Sequence, residues 1–334
     1  MAKFLVIRFS SIGDIVLTSP VVRCIKKQLA GSEVHFLVKE NFRATVAHNP
    51  YIDKVHVLSH SWELMVEELL EEGYDYIIDL HHNARTLRLK KALRKGPHPV
   101  KEVHSFYKLN IKKYIYTAFK INLLPKVHIV DRYLETVKGF GVKNDGAGLD
   151  YFIAKEEETK LSDIPASHHA GYIACVIGAA HGTKRWPVHK WKEFCAQLNH
   201  PIMLLGGPDD RANGEAIAAV DDVKVYNACG KFSLNESADL VRKAKLVISN
   251  DTGLMHIAAA FKKPIISLWG NTVPSFGMTP YYGYAAVADM ILQVNKLWCR
   301  PCSKIGFAKC PFGHFKCMEK IDVSELLARV QQRV

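Results

Sequence analysis

The stretch Lys245–Gly270, KLVISNDTGLMHIAAAFKKPIISLWG, decides how the rest of the chain is interpreted. It begins with a short apolar run and a polar turn, Leu246–Ser249 and Asn250–Gly253. Next comes a segment that is apolar on all sides, and a second apolar run ends the stretch, Leu254–Phe261 and Ile265–Trp269. This order predicts a buried strand, a loop, a buried helix and a second buried strand.

The polar turn of this stretch has two interpretations. A helix that begins at Asp251 or Thr252 points unpaired backbone N–H groups beyond the strand end, and such a terminus favours phosphate. Gly253 allows a ligand to approach the backbone closely. The same residues also suit an ordinary turn in which Asp251 or Thr252 only caps the helix. The stretch alone therefore does not decide between a ligand site and a plain turn.

Length and composition indicate a globular protein with two domains. The chain has 334 residues, of which 48% are apolar and 23% charged, and a chain of this length usually divides into more than one core. Its apolar runs fall short of the roughly 18 residues that a membrane span needs. The apolar run before Arg8 is too short for a signal peptide. We therefore expect a cytoplasmic protein.

The net charge of +12 is concentrated in one segment, residues 84–126, which has a single acid, Glu102. Its basic residues are Arg85, Arg88, Lys90, Lys91, Arg94, Lys95, Lys101, Lys108, Lys112, Lys113, Lys120 and Lys126. Such a segment attracts nucleic acid, an anionic lipid surface or a phosphorylated substrate. A merely soluble basic helical face is the alternative, with the interleaved aromatic residues as its core side.

Strand and helix patterns alternate twice along the chain. The strands predicted in the first half are Lys3–Arg8, Val34–Val38, Lys54–Leu58 and Tyr74–Leu80. Those of the second half are Tyr172–Ile177, Ile202–Leu205, Val223–Tyr226, Leu246–Ser249, Ile265–Trp269 and Ala285–Ala288. The helices include Val130–Gly139, Ser233–Lys243 and Asp322–Val330, and Pro20 predicts a kink or a restart capped by Ser19. The pattern predicts an α/β protein with two doubly wound parallel sheets, in domains 1–158 and 169–320, followed by a helix in 321–334.

Ligands of such sheets bind outside the carboxyl ends of the strands, so we expect the polar loops there to face one cleft between the domains. These loops are Ser10–Asp14, Asp79–Arg85, Gly178–Lys184, Gly206–Asp210 and Ser249–Gly253. The sequence has no G-x-G-x-x-G turn, no phosphate-binding P-loop and no G-x-S-x-G elbow. A dinucleotide-dependent oxidoreductase, a P-loop NTPase and an α/β-hydrolase are therefore unsupported.

Three motifs carry a resemblance to a known family. They are S-S-x-G-D at Ser10–Asp14, K-x-W-P at Lys184–Pro187 and D-T-G-x-x-H-x-A-A-A at Asp251–Ala260. In this order they resemble glycosyltransferase family 9, the lipopolysaccharide heptosyltransferases. The resemblance implies a GT-B fold, two Rossmann-like domains with the acceptor on the first and the donor on the second. It also implies an inverting, metal-independent transfer of heptose from ADP-heptose to the inner core of lipopolysaccharide, Kdo–lipid A or a heptosylated core.

The resemblance also implies roles for individual residues. Asp14 would be the general base, Lys184 would contact the donor phosphate or sugar, and Asp209 or Asp210 would hold the ribose. The predicted donor-binding residues are Thr183, Lys184, Asp209, Asp210, Asp251, Thr252, Gly253 and His256. The predicted acceptor-binding residues are Ser10, Ser11, Gly13, His82 and Arg85. An inverting displacement needs one carboxylate base and positive charge at the leaving group, which Asp14 and Lys184 supply.

Each of these residues also has a structural alternative. Asp14 would only cap its own helix, and Lys184 would be a solvated loop lysine. His256 would be a hydrogen-bonded packing residue on an apolar helix. His82 and Arg85 would belong to ordinary loop packing.

The implied acceptor explains the basic segment. An acidic, phosphorylated acceptor at the inner face of the inner membrane would dock on it, and the protein would be peripheral there. No nucleic-acid motif accompanies the charge, so no nucleic acid is expected. The alternatives are a family relative with another nucleotide sugar or acceptor, and a non-catalytic anion- or nucleic-acid-binding protein on the same fold.

Four cysteines crowd near the end of the chain: Cys299, Cys302, Cys310 and Cys317. In a reducing cytoplasm this spacing favours a metal over disulfides, and a tetrahedral zinc held by the four thiolates would staple a loop that has little core of its own. The alternative is four free or structural thiols. Either way we expect no metal or other cofactor in catalysis.

Overall fold

The computed structural model describes residues 2–58, 61–287 and 289–333. The chain forms two compact units. The first unit comprises Met1–Lys108, Val127–Phe152 and Tyr281–Ala285. The second unit comprises Leu109–Lys126, Ile153–Pro280 and Ala286–Val334.

The described residues form eleven strands and twelve α-helices. The strands are β1 (Lys3–Ile7), β2 (Glu33–Lys39), β3 (Lys54–Leu58), β4 (Tyr76–Asp79), β5 (Glu102–Ser105), β6 (Ile173–Val176), β7 (Ile202–Leu205), β8 (Val225–Asn227), β9 (Leu246–Asn250), β10 (Ile265–Trp269) and β11 (Asp289–Gln293). The helices are α1 (Ile12–Val16), α2 (Ser19–Gln28), α3 (Trp62–Glu71), α4 (Ala84–Leu93), α5 (Asn110–Phe119), α6 (Ile129–Leu134), α7 (Val188–Gln197), α8 (Arg211–Ala218), α9 (Leu234–Lys243), α10 (Gly253–Ala260), α11 (Lys316–Glu319) and α12 (Val323–Gln331).

The first unit is built on a parallel sheet of order β3-β2-β1-β4-β5. The central strand β1 pairs with β2 on one side and β4 on the other, with Leu5 opposite His35 and Ile77. Residues 4–7 of β1 are fully buried, because a parallel sheet is covered on both faces and its central strands are apolar throughout. The chain runs outward in opposite directions from β1, so the loops after β1 and β4 border the topological switch point.

The second unit has a parallel sheet of order β11-β10-β9-β6-β7-β8. Counted from β6, this is the 3-2-1-4-5-6 order of a doubly wound α/β domain. The core on one side contains Trp186, Trp191 and Phe194. Helix α10 is buried at five consecutive residues, 255–259, as the all-apolar segment predicts. These observations confirm the predicted α/β architecture with two doubly wound sheets.

Two strands differ from the sequence prediction. The predicted strand Ala285–Ala288 is wrong, since residues 285–287 are not a strand and Ala288 lies outside the described residues; the strand is β11. Strand β5 is absent from the prediction. Both are edge strands with little burial, so they lack the apolar run by which a buried strand is recognised.

Helix boundaries follow local capping chemistry. The predicted capping box of Ser233 and Glu236 opens α9 and is confirmed. The chain restarts a helix near Pro20, but the N-cap is Thr18 instead of Ser19. The predicted single helix Val130–Gly139 is α6 followed by a 3₁₀ turn, Glu135–Phe140.

The basic segment contains α5, and no residue of this helix is buried. The interpretation of its aromatic residues as a core face is therefore wrong. Residues 109–126 group with the second unit, although the predicted boundary places them in the first domain. No helix among the described residues is long and apolar enough to cross a membrane.

Candidate active site

The switch point of the second sheet is held together by one buried amide. Asn250, at the end of β9, is fully buried. Its Nδ2 donates to the carbonyls of Val176, 3.2 Å, and Ile177, 2.9 Å, and its Oδ1 accepts from the Trp186 backbone N–H at 3.1 Å. The loop that follows β6 is thereby fixed to the end of β9, and this loop carries Lys184.

Lys184 and Asp251 meet at this point. The Lys184 Nζ lies 2.7 Å from Asp251 Oδ2, and the Thr272 hydroxyl donates to the same oxygen at 2.9 Å. The side chains are 18% and 11% exposed, respectively. Lys184 is thus an ion-paired and mostly covered side chain instead of a solvated one. Two predicted donor-binding residues from different loops come together here.

The start of α10 lies beside this pair. Thr252 is the N-cap residue, and its hydroxyl makes no capping hydrogen bond to the helix. The first-turn N–H groups from Gly253 onward therefore keep the partial positive charge that suits an anionic ligand. His256 is 2% exposed within the same helix.

Asn271 was not predicted as a site residue. It follows β10, is 1% exposed, and neither its Oδ1 nor its Nδ2 has a hydrogen-bond partner among the described residues. A buried amide without partners costs about 1–3 kcal/mol, so this side chain is suited to bind a ligand. The available signal was the polar Asn271–Thr272 pair directly after the apolar run of β10.

Three other predicted donor-binding residues have different surroundings. Asp210 is buried, accepts from the Gly207 N–H at 3.0 Å and pairs with Arg185 at 3.2 Å. Asp209 is exposed. The Thr183 hydroxyl accepts from the Phe307 N–H at 2.8 Å and donates to the Phe307 carbonyl at 3.1 Å. The side chains of Thr183 and Asp210 are therefore engaged in fixing loops.

The cysteine-rich segment supports the loops of this site. Arg300 donates from Nε to the Gly270 carbonyl at 2.5 Å and from an Nη to the Thr272 carbonyl at 2.9 Å. A Cβ on Gly182 would lie 2.1 Å from the Ala308 carbonyl oxygen. The segment thus packs on the loop of Lys184 and holds the loop of Asn271.

The four clustered cysteines form no disulfide. Burial raises the pKa of the Cys317 thiol to about 12, and neighbouring Cys302 acts in the same direction. His314 Nε2 lies 3.8 Å from the Cys299 sulfur. Across 2–58, 61–287 and 289–333, these thiols do not bring three ligand atoms within 4.8 Å of one another. The structural zinc stays a prediction.

In the first unit, Asp14 lies in α1 after β1. Arg8 Nη2 is 2.7 Å from Asp14 Oδ1, and the Ser11 hydroxyl donates to Asp14 Oδ2 at 2.9 Å. Asp14 and Ser11 also form the capping box of α1, so the capping alternative is present in the geometry. The Asp14 side chain nevertheless stays 23% exposed and can contact a ligand.

Arg8 is the residue of this loop that sequence reasoning missed. It is 8% exposed and donates to the carbonyls of Ser10, 2.8 Å, and Leu80, 2.6 Å, and to the Tyr133 hydroxyl, 3.2 Å. Its guanidinium is therefore fixed from several directions. It offsets the charge of Asp14 and holds this carboxylate in one orientation.

The loop after β4 is organised by Asp79. Its Oδ1 accepts from the backbone N–H groups of His81, 3.1 Å, and His82, 2.7 Å, and its Oδ2 pairs with Lys90 at 2.6 Å. His82 Nδ1 donates to the Phe106 carbonyl at 2.8 Å. Arg85 is exposed on α4. His82 thus contributes to the packing of this loop, and its role in acceptor binding stays a prediction.

His81, which sequence reasoning passed over for its neighbour, is the more perturbed histidine. Its ring lies 4.8 Å from the Phe9 ring, and its buried Nδ1 has no hydrogen-bond partner among the described residues. The pKa of His81 is lowered to about 4, chiefly by burial; the charges of Arg8 and Lys108 act in the same direction, while Asp79 and Asp14 oppose them. His81 is therefore neutral at physiological pH.

A basic groove of about 440 Å³ lies beside this loop in the first unit. It is lined by His82, Leu87, Lys90, Lys91, Arg94, Lys95, Val103 and Ser105. Lys90 is already paired with Asp79. Lys91, Arg94 and Lys95 supply the remaining positive charge, which suits an anionic ligand.

Two doubly wound units, each with polar loops at the carboxyl ends of its strands, are the architecture of the GT-B fold. The family model of glycosyltransferase family 9 (heptosyltransferase) matches residues 63–311, and the chain belongs to this family.

Comparison with individual relatives agrees with this assignment. The chain is 26% identical over 324 residues to lipooligosaccharide heptosyltransferase 2 of Haemophilus ducreyi, covering 87% of this chain and 89% of the relative. It is similar in fold to a family 9 glycosyltransferase from Veillonella parvula, with TM-score 0.76, 22% identity and coverage of 99% and 96% of the two chains. An E. coli heptosyltransferase with ADP aligns with TM-score 0.70, 22% identity and coverage of 99% and 100%.

Because the pKa of His81 is lowered by folding, the free energy of unfolding should depend on pH. The pKa is lowered from 6.5 to about 4 in the folded protein. As the pH falls, the unfolded state therefore binds a proton before the folded state does. The contribution of His81 to the free energy of unfolding is complete above pH 6.5 and is lost as the pH falls toward 4. Between about pH 8 and pH 5, replacing His81 with Asn should reduce the loss of unfolding free energy by about 1–2 kcal/mol, after discounting for partial exposure. Urea unfolding of both proteins at the two pH values measures this. Identical pH dependence would contradict the environment described for His81.

Proposed function

We propose that this glycosyltransferase transfers heptose from ADP-heptose to the acidic inner core of lipopolysaccharide, with inversion and without a catalytic metal. The observation that carries the proposal is the Lys184–Asp251–Thr272 cluster beside the start of α10. The names of the family and its relatives support a heptose donor. One of the similar structures is that of an E. coli heptosyltransferase with ADP. Inversion and metal independence are taken from the family resemblance, and the residues of the site are compatible with both.

On the donor side, the departing diphosphate gathers negative charge. Lys184 provides a full positive charge, and the first turn of α10 provides partial positive charge from its N–H groups. Both are held in place before the ligand arrives, so they stabilise the leaving group without reorganising during the reaction. This is the task that a divalent metal performs in other transferases.

On the acceptor side, Asp14 is proposed as the general base. The acceptor hydroxyl gives its proton to the Asp14 carboxylate while its oxygen bonds to the anomeric carbon and the bond to ADP breaks. Attack from the face opposite the leaving group inverts the anomeric configuration. Ser11 and Arg8 hold one carboxylate oxygen each, and the partial exposure of Asp14 leaves room for the acceptor hydroxyl.

Replacing Asp14 with Asn tests the base assignment. The amide keeps the size of the side chain and its contact with Ser11 but has no basicity, so the transfer rate should fall by about 10²–10⁴-fold. The affinity for ADP-heptose should stay within about twofold, because the base does not bind the donor. Single-turnover transfer and calorimetry with ADP-heptose measure the two quantities.

The exposed Asp163 provides a matched control, since Asp163→Asn removes a carboxylate outside both site loops. Melting temperatures of the variants show whether the fold is retained. Turnover of the Asp14→Asn enzyme at the wild-type rate would overturn its role as base. Loss of donor affinity in the same variant would instead place Asp14 in donor binding.

The basic groove is the proposed docking site for the acids and phosphates of the acceptor. Lys91, Arg94 and Lys95 follow one another along the end of α4 and the residues after it. Their charges are concentrated in a concave surface, where attraction for an anion is stronger than at a convex one. Acidic acceptors should therefore bind here in a salt-dependent manner.

Substituting Gln for Lys91 and for Arg94 together should raise the KM for the acceptor by about 10-fold at low salt, because two charge contacts are lost. The KM for ADP-heptose and the kcat should change little. Steady-state kinetics at low and high salt separates these effects, and the increase should shrink at high salt. The exposed Lys155 gives a control variant, Lys155→Gln. An unchanged acceptor KM would show that the acceptor binds elsewhere.

The exposed surface of α5 and the residues after it is proposed to lie on an anionic membrane. Ile111 is 73%, Tyr114 65% and Phe119 64% exposed, and Ile121 and Leu123 are each at least half exposed. Lys112, Lys120 and Lys126 are exposed in the same segment. Apolar side chains surrounded by lysines are typical of segments that lie in the interface of anionic lipids. This would place the enzyme next to a lipid-linked acceptor.

Ser substitutions at Ile111 and Phe119 should weaken binding to vesicles that contain phosphatidylglycerol by about 10-fold, since each removes a large apolar group from the proposed interface. Sedimentation with such vesicles, and with purely zwitterionic ones, measures the binding. Leu161→Ser removes a side chain that is also 57% exposed, but outside this segment, and should change nothing. Equal sedimentation of all three proteins would contradict the membrane surface.

A further inference from the structure

Two buried histidines face each other across neighbouring strands of the first unit. His35 on β2 is 1% exposed and His56 on β3 is 2% exposed. His35 Nδ1 and His56 Nε2, the inner nitrogens of the pair, lie 3.1 Å apart. No step of the proposed transfer uses them.

The outer ring nitrogens fix the protonation of this pair. His35 Nε2 lies 2.8 Å from a Glu33 carboxylate oxygen, and His56 Nδ1 lies 2.8 Å from a Glu68 carboxylate oxygen. An ionised carboxylate only accepts hydrogen bonds, so each outer nitrogen carries the hydrogen. In neutral imidazoles both inner nitrogens then present lone pairs to each other. The single hydroxyl hydrogen of Tyr74, 2.9 Å from both, can satisfy only one.

The two carboxylate oxygens of Glu72 lie near the inner nitrogens of the histidines. Glu72 Oε2 lies 3.7 Å from the inner nitrogen of His35, and Glu72 Oε1 lies 3.6 Å from that of His56. The ligand atoms of His35, His56 and Glu72 all lie within 4.8 Å of one another. A tetrahedral zinc with bonds of about 2.0–2.1 Å has ligand atoms about 3.3 Å apart. The 3.1 Å between the two nitrogens lies slightly below this value, and the 3.7 and 3.6 Å from each nitrogen to a different Glu72 oxygen lie slightly above it.

We propose that His35 Nδ1, His56 Nε2 and the Glu72 carboxylate bind a divalent transition-metal ion of the zinc class, with the Tyr74 hydroxyl at the fourth corner. Histidines that donate their other N–H to a carboxylate are typical of metal-bound imidazoles, because this contact fixes the tautomer and raises the basicity of the ligand. Glu33 and Glu68 already provide it. Imidazole and carboxylate ligands suit zinc.

Two partly exposed lysines compete with such an ion for the Glu72 carboxylate. Lys3 and Lys54 now bind the Glu72 carboxylate at 2.8 and 2.5 Å. Their side chains are 21% and 49% exposed, so both ammonium groups can turn toward water when a metal takes the carboxylate. Their charges nevertheless oppose the metal, so removing one charge should increase its affinity.

The position of the site indicates a structural role. Lys3 and Glu33 are the first residues of β1 and β2, and Tyr74 lies just before the start of β4. The site therefore lies toward the amino-terminal ends of the strands, whereas the loops of Asp14 and His81 follow the carboxyl ends. A metal here would tie β2, β3 and the end of α3 together without taking part in the transfer.

Cobalt binding to the full-length, chelator-treated protein tests the proposal. We expect about one equivalent of Co²⁺ to bind at this site with the visible absorption of tetrahedral cobalt. It should lack the near-ultraviolet charge transfer that thiolate ligands give, which distinguishes it from binding at the cysteine-rich segment. Zinc should displace the cobalt and raise the melting temperature, since it binds the folded state. No uptake of either ion would overturn the proposal and leave a proton shared between the histidines.

Variants locate the ion. His56→Gln should abolish the cobalt spectrum, while Glu68→Gln, which changes a half-exposed side chain, should fold normally and weaken binding by about 10- to 100-fold. Lys54→Gln should tighten binding several-fold. The exposed His48 and the clustered Cys302 provide controls, because His48→Gln and Cys302→Ser should leave the spectrum unchanged. Binding that survives both His56→Gln and Glu68→Gln, or that is lost in Cys302→Ser, would place the metal elsewhere.

Discussion

The hydrogen bonds of Asn250 are the constraint on which the candidate donor site depends. The fully buried amide uses both of its donor hydrogens and its acceptor oxygen in contacts with backbone groups at the end of β6 and in the loop after it. Disrupting these contacts is costly, because every lost hydrogen bond leaves a buried polar group unpaired. This fixes the loop after β6 against the end of β9. Lys184 meets Asp251 only because the two loops are held in this register, so the ion pair is a consequence of the amide contacts.

In the first unit, a charged side chain fixes the loop at the corresponding position. Arg8 stands where β1 ends, and its guanidinium binds two loop carbonyls and a buried hydroxyl while it pairs with Asp14. The rigid fork of an arginine supplies several donors at fixed angles, which a lysine at this position would not. Both units thus hold a carboxylate at the switch point of a parallel sheet with a cation, Arg8 from the same loop in the first unit and Lys184 from a neighbouring loop in the second. In each case the polar groups are oriented before any ligand binds.

Much of this organisation follows from the sequence. Central strands of parallel sheets are buried on both faces, so β1, β6, β9 and β10 show as apolar runs, and the rule that ligands bind at carboxyl ends of strands leads to the loops that carry the Lys184–Asp251 and Arg8–Asp14 pairs. The edge strands β5 and β11 escape because their side chains are largely solvated. Within the selected loops, residue type does not reveal which side chain turns inward.

That limit explains the residues that were missed. Arg8 resembles an ordinary charged residue at a strand end, and its partners, Leu80 and Tyr133, are distant in sequence. His81 and His82 are the same residue type, yet within the described part of the chain the ring of the second donates to a backbone carbonyl and the Nδ1 of the first has no partner. The His35–His56 pair depends on the register of β2 against β3, in which His35 lies opposite Lys54 and Leu37 opposite His56. Such pairings become visible only when the strands are aligned in space.

The Lys184–Asp251 pair also constrains how a diphosphate sugar would bind. A diphosphate placed directly against Asp251 would add negative charge to a mostly buried carboxylate, which is unfavourable in a region of low dielectric constant. The most favourable position of the Lys184 ammonium is between the diphosphate and the Asp251 carboxylate. There it contacts the phosphate and keeps its 2.7 Å contact with the carboxylate. Asp251 then retains oxygen lone pairs for the hydroxyl groups of a sugar, and the Thr272 hydroxyl limits its rotation. In this arrangement the lysine would neutralise the leaving group and the aspartate would orient the sugar, and neither role would require the ion pair to break.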